Sequence, residues 1–204
     1  MAVKCKVGAK CRSSNPQPLM TMLYSMKKYS IIYADPPWKY NFSKSKSRKI
    51  ENQYQTMSLE QICSLKVPSA DNSVLYLWAT APKLLEALSV MKSWGFEYKT
   101  QAVWNKKKIG MGYWFRGQHE ILLVGTKGRF GPPEQEYRRS SVFEFERGKH
   151  SKKPDEIREL IKEWFPDASR VELFCRYPAE GWDVWGNEVE STKGITKALT
   201  GQAG

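Results

Sequence analysis

The sequence predicts a three-layer α/β domain with a mostly parallel sheet, and three observations carry that prediction. Short apolar runs alternate along the chain with amphipathic helical stretches, the pattern of strands joined by crossover helices. Gly, Pro and cap-type residues fall between those runs rather than within them. The length, 204 residues, suits one domain able to bury a core without disulfides or a metal.

The elements follow in order. Residues 1–26 carry Met1, Met20, Met22 and Met26 but no apolar periodicity, and read as a flexible N-terminal tail ahead of a domain over residues 27–190. "SIIYA", Ser30 to Ala34, is a short β-branched run that predicts a buried strand. The polar stretch after Lys39 predicts a long loop, which in a compact domain is usually functional or disordered. Ser58, with Gln61 three residues on, has capping-box spacing for a short helix. "SVLYLWAT" predicts a second strand, and Leu84, Leu85, Leu88 and Met91 mark the stripe of a helix stopped at Gly95. "YKTQAVWNK", "HEILLVGTKG" and "SVFEFE" predict further strands. Pro154 at a first-turn position, followed by Asp155 and Glu156, opens a helix that ends before Pro166. "RVELFCR" predicts the last strand, and residues 191–204 read as a flexible C-terminal tail.

Lys and Arg total 33 against 21 Asp and Glu, a net charge of +12 spread along the chain, which attracts polyanions and above all nucleic acid. Ten Tyr and eight Trp accompany it; the core claims most of them, and the remainder suit a surface on which bases stack. Cys5, Cys11, Cys63 and Cys175 form no CxxC pair and have no His at ligand spacing, so neither a metal site nor a disulfide framework is predicted. No apolar run reaches membrane-spanning length and no secretory h-region opens the chain, so a cytoplasmic protein is expected. No GxGxxG fingerprint follows a strand, which argues against a nicotinamide enzyme.

Ligands of such sheets bind beyond the carboxyl ends of the strands, which places Asp35, at the end of "SIIYA", where chemistry occurs. Read alone, Asp35 could equally cap a turn that Pro36 and Pro37 punctuate. A specific chemistry fits the four residues Asp35, Pro36, Pro37 and Trp38 together. The exocyclic amine of adenine is a poor nucleophile whose two hydrogens must be held while its nitrogen attacks. Asp35 offers one acceptor and the Pro36 carbonyl a second, with its direction fixed by the prolines. Trp38 offers its face to an unstacked base.

With "YQTMS", "LYLWAT", "HEILLVGTKG", "HSKKPDE", "ELFCR" and "GWDVWGNE" following in order, "DPPW" resembles the signature of the adenine-N-6 methyltransferases of the MT-A (seventy-kilodalton subunit) branch. That branch includes the catalytic subunit of the eukaryotic messenger-RNA adenosine methyltransferase and many bacterial and phage relatives, and the bacterial or phage type is the nearer likeness. The resemblance covers Ser30 to Glu188 and implies a Rossmann-like fold with its catalytic motif before the cofactor-binding strand, and S-adenosyl-L-methionine as methyl donor. It implies that Asp35 to Trp38 form the catalytic loop, that Tyr54 packs near the target base, and that Glu120 is an acidic group near the acceptor. It further implies cofactor contacts from Asp35, Lys153, Arg176, Asn187 and Glu188. Lys153, just before a helix start, would meet a carboxylate, and Asn187 with Glu188 would grip ribose hydroxyls. After Arg176, "YPAEGW" is shorter than in the messenger-RNA enzyme. His119 and His150 read as structural or substrate-side, because methyl transfer from a sulfonium needs no strong base before attack.

Basic stretches at the active-site edge, Lys44, Lys46 and Arg48 in one and Lys106 and Lys107 in another, are candidate phosphate contacts, with Arg138 and Arg139 a possible third; each could also be a solvated charge run. Compact size and the bacterial or phage likeness favour DNA over RNA as acceptor. A catalytically silent nucleic-acid-binding partner is the remaining reading, which usually shows a broken motif where this chain has an intact one. A homodimer or a partner subunit is compatible with the sequence.

Overall fold

The computed structural model describes residues 27–40, 55–146, 148 and 152–200. Tyr29–Ala34 forms β1, and it takes the interior of the sheet because nearly all its side chains, on both faces, are buried. Ser69–Ala79 forms β2, Glu97–Asn105 β3, His119–Lys127 β4, Val142–Phe143 β5, Arg170–Leu173 β6 and Asp183–Trp185 β7. These seven strands make one sheet in the order β5-β3-β4-β2-β1-β6-β7. Only β4 runs against its neighbours, β2 and β3, and the other pairings are parallel.

Helices cover both faces. Leu59–Cys63 (α1), Leu84–Ser93 (α2) and Ile195–Thr200 (α4) supply Ile62, Val90, Met91 and Leu199 to a core with Ile32, Leu75 and Leu123 of the sheet. Asp155–Trp164 (α3) packs Ile157 and Ile161 on the opposite face against Ile31, Tyr33, Trp78 and Trp104. The predicted capping box closes α1: the Ser58 side chain accepts from Gln61 N–H at 3.2 Å, and the Gln61 side chain accepts from Ser58 N–H at 2.8 Å. Such a cap is worth about 1 kcal/mol. Gly95 follows α2 at φ +82°, a left-handed turn that glycine adopts without strain.

Four expectations are corrected. Leu85 is 76% exposed, and the buried stripe of α2 is Ala87, Val90 and Met91, which leaves Leu85 on the solvent side of the helix. Pro154 is the N-cap of α3 rather than a first-turn residue. "RVELFCR" is not the last strand, because "DVW" pairs with β6 as β7. Within residues 191–204, α4 buries Ile195, Ala198 and Leu199, so that stretch is not simply a tail. Residues 1–26 lie outside the described residues.

One buried ion pair fixes α3 to the sheet. Arg158 Nη1 donates to Glu172 Oε2 and to the Tyr177 carbonyl, both at 2.8 Å, and Nη2 donates to Asp155. Burial pushes the Glu172 carboxyl above its usual range, and Arg158 offsets only part of that. A lysine would keep the charge but lose the fork that reaches three acceptors. Arg158→Lys is therefore expected to lower the unfolding free energy by about 1–3 kcal/mol, read as a shift in the urea midpoint. An unchanged midpoint would mean that the fork is dispensable.

Candidate active site

Parallel strands bring their following residues to one edge. Asp35 to Trp38 follow β1, Thr80 follows β2, Phe174 to Arg176 follow β6, and Gly186 to Glu188 follow β7. Because β4 is antiparallel to β2 with Ile121 opposite Ala79, the start of β4 reaches that same edge and carries Glu120 beside Thr80. Together these residues line a cavity of about 470 Å3. A larger cavity of about 570 Å3, between α3 and the β2–β4–β3 face, is lined by apolar groups such as Val74, Leu122 and Trp164 and does not contain Asp35.

The diproline turn is tightly held. Trp38 N–H donates to the Pro36 carbonyl at 2.8 Å, and Met57 N–H donates to the Pro37 carbonyl at 3.0 Å. A carbonyl oxygen has two lone pairs, so Pro36 keeps one acceptor position. Trp38 is 5% exposed and its Nε1 donates to the Trp78 carbonyl at 3.2 Å. It presents a fixed wall of the cavity.

Lys153 organises the acids. Its Nζ donates to Asp35 Oδ2 at 2.6 Å, stands 3.3 Å from Glu120 Oε2 and lies over the Trp78 ring at 5.7 Å. Burial alone would lower the pKa of this ammonium, but Asp35 and Glu120 outweigh it and raise it above the ordinary lysine range. Burial pushes the Asp35 carboxyl up, and the Lys153 charge opposes that only in part. Glu120 is also desolvated, yet Lys153 and Lys106 bring it below the usual range. Lys153 is thus engaged by two protein carboxylates.

Lys106 differs from expectation. Trp104 faces Glu120 across the β3–β4 ladder, which brings Lys106 Nζ within 3.1 Å of Glu120 Oε1 and leaves the Lys106 side chain mostly buried. Lys107 pairs with Glu144 at 3.4 Å. Arg138 and Arg139 line the larger apolar cavity, with Arg139 bonded to Glu163 of α3, so they form no third cluster at this edge. Lys44, Lys46, Arg48, Tyr54 and His150 lie outside the described residues.

On the other side of Asp35, Arg176 Nε stands 3.2 Å from Glu188 Oε1, and Asn187 and Glu188 line the cavity just beyond β7. The close approach there depends on Gly186, where a Cβ would run into the carbonyl oxygen of Cys175. Phe174 takes a left-handed φ of 63° and its ring meets Trp185 edge-on at 5.3 Å, which shapes the wall between β6 and β7. Sequence reading missed Tyr40, Thr80, Phe174 and Trp185 as lining residues. Thr80 had a signal, since it closes a strand at the functional edge; Tyr40 Oη and Thr80 Oγ1 are 2.7 Å apart.

An acid-Pro-Pro-Trp turn over the carboxyl ends of a seven-stranded, mostly parallel sheet defines a Rossmann-like methyltransferase. Comparison with known families matches residues 29–188 to MT-A70. The Type II methyltransferase M.MunI of Mycoplasma sp is 37% identical over 188 residues, covering 82% of this chain and 80% of that protein. The MT-A70-like N(6)-adenosine-methyltransferase of Arabidopsis thaliana is 27% identical over 84% of this chain, and the N(6)-adenosine-methyltransferase catalytic subunit METTL3 of Homo sapiens is 27% identical over 80% of it. The chain spans only 25% and 28% of the length of those two eukaryotic relatives. It belongs to the MT-A70 family of adenine-N-6 methyltransferases.

Proposed function

We propose that this protein methylates the exocyclic amine of adenine in DNA, using S-adenosyl-L-methionine. The observation that carries the reading is the pair of acceptors in the cavity lining: a desolvated Asp35 carboxylate next to Pro36, whose carbonyl the turn holds. Two acceptors match the two hydrogens of an amine, and holding both aims the nitrogen lone pair at the methyl donor. As nitrogen gains its carbon bond it becomes positive and must release one proton. Asp35, with its raised proton affinity, is suited to stabilise that charge and to take the proton. Lys153 and Glu120 fix the carboxylate, and the wall formed by Trp38 confines the base plane.

The residues present fit the methyl donor. Asn187 and Glu188 would hold the ribose hydroxyls, and Arg176, close to Glu188, would meet the donor's carboxylate side. When bound, S-adenosylmethionine supplies a methyl on a cationic sulfur, which needs no strong base to be attacked. DNA rather than RNA is favoured by the greater identity to the Mycoplasma type II enzyme than to the eukaryotic adenosine methyltransferases, and by comparable chain length.

Nucleoside mass spectrometry after incubation with S-adenosylmethionine and single- or double-stranded DNA or RNA tests the proposal. N-6-methyladenine in DNA is the expected outcome. Methyladenosine in RNA alone would move the acceptor to RNA, and no methylated base in any polymer would overturn the enzymatic reading.

A further inference from the structure

The β3–β4 connection, residues 106–118, is an ordered finger that starts from the catalytic cavity. Its base is the Lys106–Glu120 pair, and Glu120 lies 3.3 Å from the lysine that holds Asp35. Lys106 N–H donates to the Gln118 carbonyl at 2.9 Å, Gly110 N–H to the Gly117 carbonyl at 2.8 Å, and Gly117 N–H to the Met111 carbonyl at 3.2 Å. Arg116 Nε ties the two sides by donating to the Gly110 carbonyl at 3.0 Å. The fold-back is too close for side chains: a Cβ at Gly110 would lie 2.8 Å from the Gly117 carbonyl oxygen, and one at Gly112 would run into that of Phe115.

This tight tip presents Tyr113, Trp114 and Phe115 at 90%, 96% and 90% exposure, with Met111 at 86%. Apolar side chains so fully exposed and so close together need a partner to cover them. The partner's chemistry is written in the flanks: Lys108 and Arg116 border the tip, Lys107 at its base is paired with Glu144, and no acid occurs between Lys106 and His119. Aromatic faces between cations suit bases between phosphates better than the apolar face of a protein.

We propose that the Tyr113–Trp114–Phe115 tip is a wedge that enters duplex DNA beside the target adenine and occupies the stack the base vacates. The proposal rests on the reading of the protein as a DNA adenine methyltransferase. It addresses a step that reading leaves open. An adenine amine in a duplex is engaged in pairing and lies away from the walled cavity, so the base must be extruded before Asp35 can reach it. An aromatic tip rooted at Glu120 is placed to make up the stacking lost in that extrusion.

The test uses a duplex oligonucleotide that the wild-type protein methylates, the same duplex with the target adenine opposite an abasic site, and the single strand. Trp114→Ala and the Tyr113/Trp114/Phe115 triple alanine variant are compared with Trp114→Phe. Because the three tip side chains are almost fully exposed, thermal melts should be unchanged. The expected result is about a tenfold to hundredfold loss on the paired duplex, a far smaller loss on the abasic partner, and recovery with Trp114→Phe. A 2-aminopurine at the target should brighten with the wild type and not with the alanine variants. Undiminished duplex methylation, or an equal loss on all three substrates, would overturn the wedge while leaving the methyltransferase reading intact. A variant that turns a wild-type dimer into a monomer by sedimentation, with no change on paired duplex relative to single strand, would overturn it in favour of a protein interface. No methylation of any substrate by the wild type would bring down the underlying activity instead.

Discussion

Asp35→Asn is expected to reduce methylation by about a hundredfold to a thousandfold while leaving S-adenosylmethionine affinity and the fold nearly unchanged. Asparagine keeps the shape, yet it replaces a charged acceptor with a neutral amide at the point where positive charge develops on the amine. The fold should tolerate it, because Lys153 retains Glu120 at 3.3 Å. The loss should appear in kcat rather than in KM, since the acceptor matters most once the nitrogen is attacking. The pH profile gives a second readout. Burial raises the Asp35 pKa and Lys153 reverses that only in part, so the carboxylate takes up a proton at a higher pH than a surface aspartate. Activity should therefore fall on the acid side above the usual aspartate range, and that limb should vanish in the asparagine variant's residual rate. An asparagine variant as fast as the wild type would remove Asp35 from the chemistry.

What the sequence made legible follows the range over which each interaction acts. The strands through "SIIYA", "SVLYLWAT" and "HEILLVGTKG" were readable because each is a local apolar run, and the Ser58 cap because it spans three residues. β7 was not, since three residues between Gly181 and Gly186 carry no period and become a strand only by pairing with β6. Likewise α4 offers few apolar positions, and only the sheet face beneath it decides that Ile195 and Leu199 are buried.

The site divides the same way. Its edge was legible from strand polarity, but side-chain partners were not. Lys153 and Asp35 are separated by 118 residues, and their 2.6 Å contact depends on how α3 docks. Lys106 looked like one more cation in a basic run until the β3–β4 register turned it onto Glu120. A basic cluster read as surface charge thus contributes one member to the interior, and charge in a sequence says little about direction. The three aromatics and one methionine at the β3–β4 tip show the reverse: composition assigned most such residues to the core, while glycine-tight backbone geometry holds these outside it.

Lys153→Met should be damaging in both stability and rate, and its pH dependence identifies the cause. Methionine fills the volume over Trp78 but leaves Asp35 without its 2.6 Å partner and Glu120 with Lys106 alone. Stranding a charge in a dry core costs about 3–5 kcal/mol, and a cavity that admits water brings the expected loss to about 2–4 kcal/mol at neutral pH. The sign of its pH dependence follows from the folded-state shifts. Glu120 is lowered, so its contribution is present above the ordinary glutamate range and lost as pH falls through its folded value. Lys153 is raised, so its contribution is complete across neutral pH and lost only in strong alkali. The gap between wild type and variant should therefore narrow toward acid, where protonation neutralises the stranded carboxylates, and urea unfolding at about pH 8 and about pH 5 reads it. In the variant, Asp35 loses the charge that opposed its desolvation, so the acid limb of the rate should move to higher pH. Lys153→Arg, which restores a cation, should return part of both losses. A gap of equal size at the two pH values would assign Lys153 to packing against Trp78, and the charge-clamp role would have to be abandoned.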